Sequence, residues 1–371
     1  MNRRNFLKNT AVSAVATSLS LNLMAQQPST GKLKVLVLGG RDFFGPTLVK
    51  ALITKGHHVT LFNRGYTNPD LFSDLPWIKG DREIADGSGL INLKNHLKKN
   101  TFDVVFDTWQ KHPTAVSRAA KILKPYIGQY QYVSSISVYK DKLTKNIDEN
   151  YPLYDLKDTS IDSKRLNYSQ AKTWSEKALF EELGDKVVTF RSHGMRSNRL
   201  PNRMYEPYWP VRMLDGGDIL LPQDKDHVMQ VCDVVSMVDF MCHCAEKGHR
   251  GAFNMALPTK DFKDYINEAY KVTQKPHNKV WIPKDFLAKH DIEPYRDLPL
   301  WRPQLPGFYH INTSKAVNAG FKARSIQQMV TDQLSGYLSR NPNRDFMFGV
   351  RGTISRQKEK QVLNAWKLDR S

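Results

Sequence analysis

The chain has 371 residues, of which 40% are hydrophobic and 25% charged, and a net charge of +18; this composition excludes a disordered chain and suggests about two globular domains. Three cysteines, Cys232, Cys242 and Cys244, exclude a disulfide framework, and their spacing lacks the second ligand pair of a zinc site, so we predict no metal and expect buried apolar roles for them. The positive charge suits anionic partners such as phosphorylated ligands, nucleic acid or acidic glycans, and it equally fits a solvated basic surface because no long basic run occurs.

The N-terminus, residues 1–25, is interpreted as an export signal. Arg3 and Arg4 precede a weakly apolar run and resemble a twin-arginine signal, although Asn2 stands where Ser or Thr is usual. This predicts export to the periplasm, with a membrane tether if the signal is not cleaved. The run is too short and polar to predict a membrane span. The alternative is a basic amphipathic helix at the start of a cytosolic protein.

Residues 32–190 show strands alternating with helices. Continuous apolar runs predict strands at "KVLVLGG" and "HHVTLFNRG", and further strands over 102–109, 128–139 and 185–194. Helical stripes follow the first strand and span about 113–123. This alternation predicts an α/β fold, a Rossmann-type doubly wound parallel sheet that binds its ligands beyond the carboxyl ends of the strands.

The first strand ends in a glycine turn with the pattern G-G-x-x-F-x-G. Gly39 and Gly40 permit the sharp turn, and Gly45 lets the following helix pack closely. Free amides at the helix start would then face a pyrophosphate. Asp42 stands where the commoner pattern has another glycine, so its side chain must point away from the phosphates. An ordinary strand–turn–helix without a nucleotide is the alternative.

The next two strand ends bear on the choice of cofactor. The second strand ends at Asn63 and Arg64, without the acid that often binds the ribose hydroxyls of NAD. Arg64, with Arg41, could receive a 2′-phosphate, which favours NADP slightly over NAD; the alternative is that Arg64 only caps the turn. Asp81 and Arg82 close the third strand, and Asp81 could reach the adenine amino group.

A candidate catalytic group follows. Tyr168 and Lys172 form Y-x-x-x-K on a predicted helix, where a spacing of four places both side chains on one face. An ammonium near the phenol would lower its pKa, and such a tyrosine can exchange a proton at a hydroxyl carbon. Ser134 and Ser135 lie at the carboxyl end of the strand over 128–139, where a serine can orient the substrate oxygen.

These blocks together resemble the extended short-chain dehydrogenase/reductase superfamily, in its NAD-dependent epimerase/dehydratase group and an atypical branch of it. "LGGRDFFG", "VTLFNRG", "KGDRE", "YVSSISVY" and "YSQAK" stand where that branch has similar blocks. The resemblance implies Ser135 as catalytic serine, Tyr168 as acid/base and Lys172 as its partner, and it implies a cofactor site. That site comprises Gly39, Gly40, Arg41, Phe43, Phe44, Gly45, Asn63, Arg64, Asp81, Arg82 and Lys172. Arg41 replaces the usual Thr of the turn.

Residues 191–340 are predicted as a smaller C-terminal α/β substrate-binding domain, with parts that pack back on the sheet. Its first segment, 193–213, is rich in arginine and aromatic residues, and such side chains bind oxygen-rich or anionic ligands and stack on sugar faces. The predicted substrate wall is Arg196, Arg203, Tyr208, Trp209 and Arg212; ordinary packing of the loop is the alternative. Residues 341–371 are predicted as a basic tail.

We therefore expect an NAD(P)-dependent epimerase/dehydratase-type enzyme that acts on a sugar or sugar-like hydroxyl. An exported enzyme has no cofactor pool to draw on, which favours a cofactor reduced and reoxidised within one cycle. Some relatives of this branch bind and cut RNA, so one alternative is a nucleic-acid-binding protein, which the export signal argues against. The other alternative is a noncatalytic NAD(P)-binding scaffold. The expected partner is a carbohydrate, and the sequence is compatible with a homodimer.

Overall fold

The computed structural model describes residues 31–109, 112–155, 166–199, 207–224, 226–343, 346, 348–349 and 353–371. The strands are β1 (Lys34–Leu38), β2 (His58–Asn63), β3 (Trp77–Lys79), β4 (Phe102–Asp107), β5 (Ile127–Ser135), β6 (Val187–Ser192), β7 (Met195–Arg196), β8 (Gly217–Gln223), β9 (Val228–Met229), β10 (Cys232–Asp233), β11 (Gly251–Met255), β12 (Lys260–Asp261) and β13 (His277–Pro283). The helices are α1 (Gly45–Thr54), α2 (Ile91–Leu97), α3 (Pro113–Leu123), α4 (Tyr168–Leu183), α5 (Tyr208–Asp215), α6 (Val234–Lys247), α7 (Phe262–Thr273), α8 (Lys284–Lys289), α9 (Ser314–Asn318), α10 (Ile326–Arg340) and α11 (Arg356–Leu368).

A seven-stranded parallel sheet forms the centre of the molecule, in the order β11-β6-β5-β4-β1-β2-β3. The inner strands β1, β4, β5 and β6 are almost entirely buried on both faces, which is why they read as largely apolar runs. One face packs against α1 and α6, and the other against α2, α3 and α4. The Rossmann-type doubly wound fold is confirmed, as are the strands expected over 102–109, 128–139 and 185–194 and the helix over 113–123.

A second hydrophobic cluster lies beyond the sheet and contains β8, β13 and helices α5, α7, α8, α10 and α11. The segment 232–256 lies with the central sheet instead, because α6 covers one face and β11 pairs with β6. Cys232, Cys242 and Cys244 are free and buried, as expected of small apolar residues. The division of the chain at residue 190 stays a prediction.

The C-terminal segment differs from the predicted basic tail. Its residues 356–368 form α11, on which Glu359, Val362 and Leu363 are buried in the second cluster. The prediction of a tail is wrong for this segment because one face of the helix is apolar, while its many lysines and arginines lie on the others.

The predicted export signal, residues 1–25, lies outside the described residues. No helix among those that the structure does describe is long and apolar enough to cross a membrane.

Candidate active site

The glycine turn after β1 has a backbone that other residues would not adopt without strain. Gly39 and Gly40 have φ angles of +115° and +91°. A Cβ at Gly39 would lie 2.3 Å from Thr108 Oγ1, and one at Gly45 would lie 2.8 Å from the Gly40 backbone. The inner side of the turn therefore packs tightly against the end of β4 and against its own backbone. Its outer side is left free for a ligand.

Asp42 does not point into this turn. Its carboxylate accepts a hydrogen bond of 2.8 Å from the Phe43 amide, and its side chain is exposed. That bond accompanies a positive φ of 50° at Phe43, whose ring is buried with that of Phe44 in the core. Asn63 holds the turn from β2, since its amide donates to Gly39 O at 2.9 Å. The turn keeps its shape despite a charged residue at the fourth position.

Arg41 is a buried cation that lacks a carboxylate partner among the described residues. Its side chain is 5% exposed, its guanidinium lies 5.1 Å from the Trp77 ring centroid, and its Nε has no hydrogen-bond partner. Arg64 lies nearby, is exposed, and forms an ion pair with Glu83 at 3.4 Å. A buried guanidinium with an unsatisfied donor fits a phosphate group of a bound ligand.

The two predicted residues after β3 differ in their surroundings. Arg82 is buried and forms a bidentate ion pair with Asp107, with N···O distances of 2.8 and 2.5 Å. Burial alone would raise the pKa of Asp107, but Arg82 and a hydrogen bond from Tyr130 hold it below its ordinary value. The ion pair uses two of the five N–H donors of the Arg82 guanidinium, and the contact of Arg82 with the cofactor stays a prediction. Asp81 remains at the cavity wall, where it accepts a bond from the Glu83 amide.

These strand ends surround a first cavity of about 270 Å³, the cofactor cavity. All the predicted cofactor-binding residues except Gly45 and Lys172 line it. The glycine turn and the unpartnered Arg41 fit the phosphates of a dinucleotide, and the ends of β2 and β3 fit its adenosine half.

Lys172 lies inside the protein rather than at a cavity surface. From α4 its ammonium donates to Trp109 O at 2.9 Å, Tyr132 Oη at 3.0 Å and Val133 O at 2.6 Å. These acceptors use all three donors of an ammonium. Burial lowers the pKa of Lys172 to about 7, an effect that the charge of Asp107 opposes. Lys172 thus ties α4 to the sheet beside Tyr168.

Tyr168 is the first residue of α4, which begins at a capping box formed by Asn167 and Gln170. The ring lies over Lys172 Nζ at 6.0 Å from its centroid, and the side chain is half exposed. Desolvation raises the pKa of Tyr168, and a hydrogen bond with Ser135 opposes this. The expected lowering of the Tyr168 pKa is therefore wrong in this structure, because the Lys172 ammonium points to the sheet rather than to the phenol.

Ser135 and Tyr168 meet at a second cavity of about 340 Å³, the substrate cavity. It lies at the carboxyl ends of β5 and β6, and residues of the second cluster form its opposite wall. Arg196, Tyr208 and Trp209 line it, as predicted. Arg203 lies outside the described residues.

Arg212 is not part of this wall, and its predicted role is corrected. The side chain is fully buried on α5, where its Nε donates to both carboxylate oxygens of Glu359 at 3.1 and 2.9 Å. It also donates to Gly216 O and Asp218 O. The arginine holds α11 against α5 and β8. Nothing in the sequence around Arg212 indicated that Glu359 would be its partner.

Sequence reasoning missed several further residues of the substrate cavity, among them His193 and Gln333. His193 follows β6 directly, so its place at a strand end was a usable signal. Its Nε2 donates to Phe308 O at 2.6 Å, which leaves Nδ1 as an acceptor, and burial lowers its pKa to about 3. Gln333 lies on α10, far along the chain, and no local pattern indicated it.

Lys172 should make the stability of the folded protein depend on pH. Its folded-state pKa of about 7 lies below the ordinary 10.5, so between these values the unfolded chain holds a proton that the folded protein has released. Relative to Lys172→Met, the wild type is therefore expected to gain stability as pH rises through this window, by at most about 1.4 kcal/mol per pH unit. Urea unfolding of both proteins across the window measures this, and a constant difference would contradict it.

Comparisons with known proteins support both the fold and a family. No family model matches the chain. It is 32% identical over 297 residues to a chloroplast stem-loop binding protein of 41 kDa b from Arabidopsis thaliana, which covers 72% of this chain and 71% of that protein.

Solved structures share the fold at low identity. WbmG from Bordetella bronchiseptica, in complex with NAD and UDP, has a TM-score of 0.61 at 16% identity, covering 85% of this chain and 98% of that one. A dTDP-glucose 4,6-dehydratase from Bacillus anthracis in complex with NAD has 0.59 at 16%, covering 83% and 97%. A UDP-glucuronic acid 4-epimerase from Bacillus cereus in complex with NAD has 0.58 at 15%, covering 82% and 96%.

Proposed function

This chain belongs to the family of the chloroplast stem-loop binding protein of 41 kDa b, and we propose that it is an NAD(P)-dependent enzyme of the short-chain dehydrogenase type that acts on a sugar or sugar-like hydroxyl. The observation that carries the proposal is that Ser135 and Tyr168 line one cavity at the carboxyl edge of the sheet, while the glycine turn lines another at the same edge. Both cavities lie where ligands bind in doubly wound folds.

The residues of the chain have separate roles in this proposal. The Tyr168 hydroxyl gives or takes the proton of the reacting hydroxyl, and Ser135 holds that oxygen in place through its own hydroxyl. Ser135 and Tyr168 line the same cavity, so both hydroxyls can reach one substrate atom. Lys172 holds the first turn of α4, and thus Tyr168, against β5. When bound, the nicotinamide supplies hydride acceptance and return.

We further propose that the reaction is redox-neutral overall, as in an epimerase or dehydratase. The support is the fold shared with a dTDP-glucose 4,6-dehydratase and a UDP-glucuronic acid 4-epimerase. The proposal includes export through the Arg3–Arg4 signal. After export, a bound cofactor that returns to its starting redox state needs no supply of free NAD(P). Recovery of the protein from the periplasmic fraction would support export, and recovery from the cytoplasm alone would contradict it.

Cofactor binding tests the proposal directly. We expect the full chain to bind NADP or NAD in fluorescence titrations, with NADP slightly favoured. If Arg41 contacts the 2′-phosphate, Arg41→Met should weaken NADP binding by about ten- to a hundred-fold and change NAD binding much less. Lys79→Met, exposed on β3 outside the cofactor cavity, is the control. Failure to bind either nucleotide would overturn the proposal, and equal losses for both would remove only the preference for NADP.

The name of the relative favours a second function, binding of nucleic-acid stem-loops. The net charge of +18 is compatible with it. Such binding should weaken steeply with salt and should not depend on Tyr168. Titration of an RNA stem-loop into wild type and Tyr168→Phe at two salt concentrations separates this function from catalysis.

A further inference from the structure

Arg196 is the single charged residue among the described residues that line the substrate cavity. No Asp or Glu lines the cavity within the part of the chain that the structure describes. Arg196 forms no ion pair with a described carboxylate, and its one hydrogen bond to the protein is a long one, 3.4 Å to the adjacent Met195 O. A half-buried guanidinium in this setting keeps most of its donors for a ligand.

A further polar group of this cavity lacks a partner. Gln333 Oε1 is buried and has no hydrogen bond, and the Gln333 side chain lines the same cavity. Buried polar atoms in folded proteins are nearly always satisfied, and those that are not require an explanation. An unsatisfied amide oxygen at the cavity indicates a ligand that carries a hydrogen-bond donor, as a hydroxyl does.

The surroundings favour an anionic ligand. Burial lowers the pKa of His193 to about 3, and the charges of Arg196, Lys142 and Arg302 act in the same direction. Of these three cations, Arg196 lines the cavity. Arg196 also acts on the buried hydroxyl of Tyr265, whose pKa burial raises to about 12. A neutral histidine, neutral tyrosines and an arginine without a carboxylate leave positive charge that an anion would offset.

We propose that this part of the substrate cavity is a subsite for a carboxylate-bearing saccharide, with Arg196 on the carboxylate and Gln333 on a ring hydroxyl. A planar guanidinium matches a carboxylate with two parallel hydrogen bonds. The glutamine oxygen can accept a hydrogen bond, which suits a sugar hydroxyl. The inference rests on the proposed function and names the substrate class for its substrate cavity: a uronic acid or a sugar that ends in one.

Calorimetric titration of the full chain, with cofactor present, tests this inference. The probes are the methyl glycosides of glucuronic and galacturonic acid, their neutral glucoside and galactoside counterparts, and UDP. We expect at least one uronide to bind about ten-fold or more tightly than its neutral counterpart. Arg196→Met should remove this preference, and Gln333→Leu should weaken the uronide and its neutral counterpart alike.

Arg370→Met is the matched control, because Arg370 is exposed and lies outside the cofactor and substrate cavities. Equal binding of uronides and neutral glycosides, no binding of any glycoside, or an unchanged preference in Arg196→Met would overturn the inference. So would UDP that binds more tightly than both uronides and competes with them, which would assign the anion to a nucleotide phosphate. Cofactor binding in the same samples separates the two claims, since a protein that binds NAD(P) without preferring a uronide contradicts the subsite alone.

Discussion

Replacement of Tyr168 by phenylalanine is expected to lower turnover by about 10²–10⁴-fold and to leave NAD(P) affinity unchanged. In the proposed mechanism the Tyr168 phenol is the acid/base, so its loss removes the proton acceptor beside Ser135 at the substrate cavity. The ring itself remains, so the start of α4 and its packing over Lys172 should persist. The measurement is the absorbance of bound cofactor after saccharide is added, together with product analysis.

The control for this prediction is Tyr270→Phe on α7, which removes a tyrosine hydroxyl outside both cavities. Its turnover should match the wild type. If Tyr168→Phe also retained wild-type turnover, Tyr168 would not be the acid/base. If neither the wild type nor the variant turned over any saccharide while both bound NAD(P), the chain would be a noncatalytic cofactor-binding scaffold.

Replacement of Glu359 by alanine is expected to destabilise the protein by about 3–5 kcal/mol. Glu359 is fully buried and accepts hydrogen bonds from Arg212 Nε and from the Leu220 amide at 3.0 Å. Without it, the buried Arg212 guanidinium would keep only the more distant carboxylate of Asp215, at 3.7 Å, to compensate its charge. The free energy of unfolding in urea, measured on the full chain, reports this loss.

An exposed ion pair is the matched control. Glu293 pairs with Arg296 at the surface, and Glu293→Ala should change stability by less than about 1 kcal/mol. The double variant Glu359→Leu/Arg212→Met replaces the buried pair with apolar groups, and it should recover part of the stability lost in Glu359→Ala. A change of less than about 1 kcal/mol in Glu359→Ala would contradict the structural role of α11.

The Arg212–Glu359 pair shows what the local sequence around a residue cannot predict. Arg196, Arg203 and Arg212 occur in one segment rich in aromatic residues, and their local patterns are alike. The structure places Arg196 at the substrate cavity and Arg212 against a carboxylate 147 positions away. A guanidinium binds a ligand carboxylate and a protein carboxylate by the same bonds, so the type of residue does not tell which one it meets.

Arg82 and Lys172 show the same limit within the dinucleotide-binding half. Both lie at positions that the family resemblance assigns to the cofactor site, and both have partners within the protein. Asp107 pairs with Arg82, and Trp109, Tyr132 and Val133 accept hydrogen bonds from Lys172. The resemblance places each residue on the correct element. The partners of each side chain come from other strands. Which residues become partners is therefore set by the order of the strands in the sheet.

The sequence by itself determined the alternation of buried strands and helices, the glycine turn and the presence of Ser135 and Tyr168 at one edge of the sheet. These follow from apolar periodicity, from backbone angles that only glycine readily adopts, and from the rule that parallel strands end together. Only the tertiary structure decided which cations are free at a cavity, that α11 is part of the core, and that His193 and Gln333 join the site. The physical reason is that a side chain's charge, burial and donors depend on distant residues that packing brings within a few ångströms.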